Sequence, residues 1–197
     1  STRHSFPNLT NFRVGVVKGY MRIFNKVGIF FIQKGLANWE TNEVSSCSTS
    51  FSPNDEIVVT VFEIPASEYV EFCEREHRFR YIDVDVQSVD GSETWKGIMC
   101  TEYSDAEYRR DRFSSDDEYF EKVGKYYNGK LWRADIFPCR TYLKHCIAAA
   151  EKVGGSCYRN FLQHTYLADK KTTIRQYIEA HPEVLSDEGA SKFDRYG

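Results

Sequence analysis

The densest group of ionisable side chains in this sequence is Glu74-Arg75-Glu76-His77-Arg78-Phe79-Arg80. A carboxylate held at the end of a sheet in a largely apolar pocket has its charged form disfavoured. That raises its pKa and suits it to exchange a proton near neutrality. Glu74 and Glu76 are the candidates for that work. The plainer reading is a solvated charged turn in which each glutamate pairs with Arg75, Arg78 or Arg80, and on the residues alone it has the advantage. Cys73 and His77 stand at i and i+4, the spacing of a thiolate pair, but Cys73 falls on an apolar stripe with Tyr69 and Phe72. His145 and His164 lack an acidic or histidine neighbour at ligand spacing and read as surface or satisfied core histidines. No G-x-S-x-G, P-loop or G-x-G-x-x-G occurs, so the serine-hydrolase and nucleotide-binding readings have no local signature.

The elements that must position the charged group are a strand on each side of it and a short helix. Ile57 to Ile64 is almost entirely β-branched or aromatic, and Pro65 ends it because proline has no N–H to give a ladder. The run predicts a strand buried on both faces in the middle of a sheet. Ser67 to Cys73 predicts a short helix, and Tyr81 to Val86 a strand with Ile82, Val84 and Val86 inward.

Upstream, Phe12 to Asn25 predicts a strand broken at Gly19, with a second β segment at Met21 to Phe24. Residues 35–52 are rich in Ser, Asn and Thr and read as a loop with at most one irregular strand around Ser46 to Phe51. Asp90-Gly91 signals a hairpin whose return strand is Trp95 to Thr101. Ser104-x-x-Glu107 and Ser115-x-x-Glu118 match the capping box. The first of the helices they start, Asp105 to Phe113, is charged nearly all round and reads as solvated, whereas the second buries Phe120 and Val123 and ends at Gly124. The stretch Leu131 to Phe137 is an aromatic connection. Helices follow over Cys139 to Val153, Tyr158 to Leu167 and Thr172 to Ala180, and the tail from Leu185 has weak patterning. Sheet first and helices last is an α+β arrangement.

At 197 residues with 41% apolar side chains, 14 Phe and 13 Tyr, the chain is long and apolar enough for one core built on aromatic packing. One domain is the default reading, residues 1–180 with a tail over 181–197. A formal charge of -3 gives no electrostatic reason to bind nucleic acid or an anionic membrane. No apolar run has the length of a membrane span. The six cysteines, Cys47, Cys73, Cys100, Cys139, Cys146 and Cys157, show no C-x-x-C pair and read as free thiols of a reducing, cytoplasm-type compartment.

Three segments carry a resemblance to the gamma-glutamylcyclotransferase-like family, near its AIG-type and ChaC branch. Lys18-Gly19-Tyr20-Met21-Arg22-Ile23-Phe24-Asn25 resembles the family's G-[YW]-x-R-x-F segment. Val61-Phe62-Glu63-Ile64-Pro65, followed by Arg75-Glu76 and Phe79 or Tyr81, resembles its strand, proline and R-E-x-x-Y segment. Pro138 to Leu143 resembles a late helix start, and Asn160-Phe161-Leu162 with Thr165 to Asp169 resembles helical extensions of some members. The resemblance implies a mixed β-barrel flanked by helices, with additional C-terminal helices. It also implies cyclisation of a γ-glutamyl compound to 5-oxoproline, as in glutathione metabolism, by attack of the free α-amino group on the γ-carbonyl. Glu76 would be the general base, with Tyr142 and Arg22 binding substrate. No metal or cofactor is implied, because the nucleophile is internal and ring closure has its entropic advantage.

Two departures accompany the resemblance. The family's Tyr-Gly-Ser oxyanion loop has no counterpart, and Thr60 stands where a glycine is common. The missing loop leads to two expectations. One is that Phe12 to Val17 needs a sheet neighbour from before Ser1, followed by a Tyr-Gly-Ser-like turn, without which the chain would be unstable and inactive. The other is a catalytically silent relative serving as a protein-interaction or assembly module through Leu131 to Phe137.

Overall fold

Two long strands pair along nearly their whole length in the computed structural model, which describes residues 8–186. Strand β1 (Thr10–Val27) runs antiparallel to β2 (Glu43–Glu63), from Thr10 opposite Glu63 to Val27 opposite Ser45. The predicted break at Gly19 is a bend instead. The register shifts between Lys18 and Tyr20, and Gly19 takes φ +80°, which a glycine adopts without a Cβ penalty. The stretch read as a loop forms the first half of β2. Its serines are small enough to pack, and all but the buried Ser45 Oγ find partners, as where Ser48 Oγ donates to Asn25 Oδ1 at 3.2 Å and Ser50 Oγ to Glu102 Oε1 at 2.5 Å. Tertiary pairing here overrides composition. A short helix, α1 (Ile29–Gln33), fills part of the connection between the two strands.

The strand order is β4-β3-β1-β2-β5, with β6 paired to β1 off that path. The strands β3 (Arg80–Ser88) and β4 (Thr94–Thr101) form the expected hairpin about Asp90 and Gly91. The remaining two, β5 (Phe137–Pro138) and β6 (Thr165–Leu167), are short and parallel to their neighbours. The centre of the sheet is therefore β1, not Ile57 to Ile64, which is the outer half of β2 and buries only Ile57 fully. Nor is the place beside Phe12 to Val17 empty. Gly15 and Val16 pair with Ser88 and Gln87 of β3, and a Cβ on Gly15 would lie 2.5 Å from Val86 Cγ1, so glycine permits the close approach. At these two residues the neighbour is a strand of the chain itself.

The ladder is not closed into a barrel. The end of β4 returns to β2 at a single residue, where Glu102 N donates to Thr49 O at 2.9 Å and Thr49 Oγ1 to Cys100 O at 2.7 Å. What the residues form is a mixed sheet flanked by helices, an α+β fold.

After Pro65, just past the end of β2, comes α2 (Tyr69–Arg75), then, beyond the β3-β4 hairpin, α3 (Asp105–Arg112) and α4 (Asp116–Tyr119), the last continued by a π turn over Phe120–Gly124. Ser104 and Glu107 make the reciprocal capping box. Ser115 accepts from Glu118 N, but the Glu118 carboxylate turns to Ser114. The expectation that α3 is solvated fails at Tyr108, which is 1% exposed among Tyr103, Phe113 and Trp132. Phe120, expected inside, is exposed, while Val123 is buried. Leu131 and Ile136 are buried and Trp132 is half-buried in the same aromatic cluster, so the connection read as a partner surface packs into its own domain.

At the C-terminal end, α5 (Arg140–Val153), α6 (Gly155–Gln163) and α7 (Ile174–Ala180) close a second core over Phe24. Leu143, Ile147 and Ala150 recur at helical spacing on α5, and burying a side chain the size of Leu143 is worth about 1.5–3 kcal/mol. The helix expected over Tyr158 to Leu167 stops at Gln163. Thr165 to Leu167 leaves it to pair with Arg22 to Phe24, the pairing that ties the helical end to the centre of the sheet. Of the tail, Pro182–Leu185 is a 3-10 turn, and the residues beyond Ser186 lie outside the described residues.

Candidate functional site

Arg22 projects from β1 into a cavity of about 480 Å³ bounded by β1, β2, β4, α5 and α6. Thr60, Phe79, Cys100, Tyr142 and Phe161 are among its other walls. The parallel ladder fixes Arg22 at its backbone, where its N–H donates to His164 O at 3.0 Å. Its guanidinium donates through Nη1 to Asn160 Oδ1 at 3.2 Å and through Nη2 to the carbonyl of Val58, and it lies 5.8 Å over the Phe161 ring. Asn160 is held in turn by Val58 N at 2.8 Å and by its own donation to Glu56 O at 2.9 Å. Burial pushes the Arg22 pKa down, with the nearby Cys47, Cys157 and Cys146 opposing. A guanidinium nevertheless keeps its proton, because its ordinary value is so high. Among the described residues no carboxylate pairs with it, so the cavity contains a permanent cation held only by neutral oxygens.

The thiols around it are not nucleophiles. Burial pushes Cys47 up to about 12 against the opposing pull of Arg22, and Cys146 is also pushed up by burial. Cys100 rises to about 12 through burial and then through the charge of Glu76. A thiol above the working pH stays protonated and behaves as a small apolar group. Tyr142, at the first turn of α5, packs 6.0 Å from Phe24 and 5.2 Å from Phe31, and its hydroxyl bonds the Cys146 thiol.

The charged turn after α2 divides. Glu74 is exposed. Glu76 ends α2 with its side chain 22% exposed, and its Oε1 accepts from Arg75 Nε at 2.8 Å, the pairing that the plainer sequence reading expected. Its backbone carbonyl accepts from Phe79 N at 3.0 Å, closing the turn that sets the Phe79 ring in the cavity wall. Glu76 itself is not part of that lining and acts on it through its charge at Cys100. Arg22 and Tyr142 therefore meet at one cavity, while Glu76 stands apart from them.

Cys73 and His77 do not pair. The His77 ring is 3.3 Å from the Tyr108 hydroxyl and is pushed down to about 4 by burial, then by Arg78 and Lys26. His164 is a satisfied histidine, with Nδ1 2.9 Å from Asp55 Oδ1, which also accepts from Tyr166 at 2.8 Å. Among the described residues no set of three His, Cys, Asp or Glu side chains converges as metal ligands, and no helix is long and apolar enough to cross a membrane.

Lys26 is the ionisable residue that the sequence reading passed over. It is 2% exposed, and its Nζ lies 5.7 Å from the ring centroids of both Phe79 and Trp132. Burial pushes it down to about 7, helped by Arg78 and opposed by Asp105 and Glu76. It sits inside the run Ile23 to Val27, every residue of which is buried in the fold. Glu43 is another buried charge, 5% exposed and bonded by Arg140 Nε at 2.7 Å and Thr41 Oγ1 at 2.8 Å.

No protein-family model matches this sequence, and no curated protein matches it. Among solved structures, an uncharacterized human protein aligns over 62% of this chain and 78% of its own at 16% identity and a TM-score of 0.41. An Arabidopsis thaliana protein aligns over 63% and 73% at 13% identity and a TM-score of 0.39. A gamma-glutamyl cyclotransferase aligns over 66% and 83% at 18% identity and a TM-score of 0.38. Likenesses at these scores leave the argument about function to the residues.

Proposed function

We propose that this chain binds a γ-glutamyl compound in the Arg22 cavity and cyclises it to 5-oxoproline, releasing the amine or peptide. One observation carries the reading. The three segments that resemble the cyclotransferase family, far apart in sequence, each supply wall residues of the same cavity: Arg22 from the first, Phe79 from the second and Tyr142 from the third. The unpaired guanidinium suits the substrate's α-carboxylate, which a planar fork of N–H donors engages bidentately. Tyr142 shapes the wall beside it. Glu76 takes a proton from the α-ammonium, the amine so freed attacks the γ-carbonyl carbon, and the C–N bond to the leaving amine breaks as the protons lost by the attacking nitrogen pass through the Glu76 carboxyl to the leaving nitrogen.

The test is release of 5-oxoproline from γ-glutamyl amino acids, γ-glutamylamines and glutathione by the purified chain. Glu76→Gln is expected to abolish it with circular dichroism unchanged. A Glu76→Gln protein as active as the parent removes Glu76 as the base, and absence of 5-oxoproline from all three substrate classes removes the reaction.

A second reading, a domain that binds such a compound without turning it over, is favoured by the position of Glu76 outside the lining and in a pair with Arg75. Saturable calorimetric binding of a γ-glutamyl amino acid, lost in Arg22→Met and unaccompanied by 5-oxoproline, distinguishes it.

A further inference from the structure

Among the described residues, Arg22 is the only charged side chain that lines its cavity. A guanidinium has five N–H donors, of which Nη1 gives one to Asn160 Oδ1 and Nη2 one to the Val58 carbonyl, so three remain. That is enough to grip one carboxylate bidentately and too few for two. The rest of the wall offers an anion little. Val59 and Met99 come from β2 and β4, Ala149 and Val153 from α5, and Phe79 and Phe161 add rings. The thiols of Cys47, Cys100, Cys146 and Cys157 are each pushed up by burial and stay neutral. The hydroxyl protons of Ser48 and Thr49 are already given, to Asn25 Oδ1 at 3.2 Å and to Cys100 O at 2.7 Å, which leaves the hydroxyl of Thr60 at an exposed position.

Every γ-glutamyl compound brings one carboxylate on its α-carbon, and the unpaired guanidinium answers it. The classes differ in what leaves. A γ-glutamyl amino acid has a second carboxylate one carbon from the scissile nitrogen, so that charge is carried in with the reacting bond instead of trailing into water. In glutathione the second carboxylate sits further out, but it comes with a peptide group whose N–H and C=O also need partners. Neither finds a second cation or a free buried donor in this wall, and a carboxylate taken out of water without a partner is strongly disfavoured. The amide of a simple aliphatic amine brings only a hydrocarbon chain, which the aliphatic and aromatic wall covers at no such cost.

We propose that the leaving part of the substrate is uncharged and apolar: the cavity selects γ-glutamyl amides of aliphatic amines over γ-glutamyl amino acids and glutathione, an inference that rests on the reading of this cavity as the γ-glutamyl site. Selection is by charge count, one cation in the wall for one carboxylate in the ligand. The bonds made and broken are those of the cyclisation itself, and the second product is a free aliphatic amine.

A matched pair of ligands tests it. γ-Glutamyl-sec-hexylamide and γ-glutamylnorleucine have the same branched chain and differ only in a methyl group where the second has a carboxylate, so bulk is held constant while charge changes. Calorimetric binding and 5-oxoproline release are both measured on the purified chain. The hexylamide is expected to bind about tenfold or more tighter than the norleucine compound, and kcat/KM to follow. Ala149→Arg then adds a second cation at an exposed lining position of α5, where the new side chain meets water rather than core. This variant is expected to narrow the gap by tightening γ-glutamylnorleucine. Equal binding of the pair, a preference for γ-glutamylnorleucine, or a gap that Ala149→Arg leaves unchanged overturns the inference and leaves the cyclisation reading standing. A hexylamide that binds with the expected preference but yields no 5-oxoproline supports the inference and removes only the reaction, whereas failure of both compounds to bind overturns the two together.

Discussion

Strand β1 buries two cations and treats them differently. Arg22 is met by oxygens, the Asn160 side chain and the Val58 carbonyl, and stays charged. Lys26 is met by the rings of Phe79 and Trp132 and sheds its proton near neutral pH. The comparison teaches that neighbours decide only part of the outcome. Both side chains are penalised by burial, but the guanidinium begins so high that it absorbs the penalty as a charge, while the ammonium releases it as a proton. The chain thus has a permanent charge at its cavity and a conditional one between two aromatic rings.

The largest expected effect would break that contrast if it failed. Folded Lys26 titrates at about 7, whereas an unfolded lysine titrates near 10.5. Between these values the unfolded chain holds the extra proton, so stability rises with pH across the window. The cost of burying the charge is complete below it and gone above it. Lys26→Met is therefore expected to be more stable than the parent below pH 7, by up to about 4 kcal/mol, with the gap closing towards pH 10.5. Urea unfolding at three pH values reads this. A gap independent of pH means that Lys26 is charged in the fold.

A smaller effect sharpens the Arg22 side. Asn160→Leu leaves Arg22 Nη1, Val58 N and Glu56 O without their partner and is expected to cost about 2–3 kcal/mol in urea unfolding. A loss below about 0.5 kcal/mol shows that Asn160 does not support the guanidinium. The smallest concerns His77, which crowds the Lys26 side. It stays neutral down to about 4, so the parent loses stability as pH falls from about 6.5. His77→Phe is expected to abolish about 1 kcal/mol of that loss, after allowance for the ring's partial exposure, and equal acid slopes for the two proteins would count against it.

Where hydrophobic period and local signals coincide, the sequence is legible. The β3-β4 hairpin, the Ser104 cap and the Leu143 stripe of α5 are all where their residues put them. It is misleading where tertiary pairing decides. Ser45, Ser48 and Ser50 read as loop residues because nothing local says that β1 lies opposite them. Tyr108 reads as one apolar residue on a charged helix because its companions Tyr103 and Trp132 come from other segments. At the candidate site, Arg22 and Tyr142 stand in the segments that carry the resemblance, and they line one cavity. Lys26 was missed because a lysine in a strand is assumed to face solvent, and the register shift between Phe24 and Lys26 cannot be seen in the letters.

The short parallel strand β6 has a consequence for the order of assembly. The β1-β2 and β3-β4 pairs join segments that are near in sequence, but Ile23 meets Tyr166 only after roughly 140 residues of chain are brought to one place, and closing a loop of that length carries an entropic cost that local hairpins avoid. That contact is also the one that seats His164 O on Arg22 N and brings Asn160 to the guanidinium. The cavity thus depends on the least local pairing in the sheet: without β6 beside β1, neither the His164 carbonyl nor the Asn160 side chain is at Arg22.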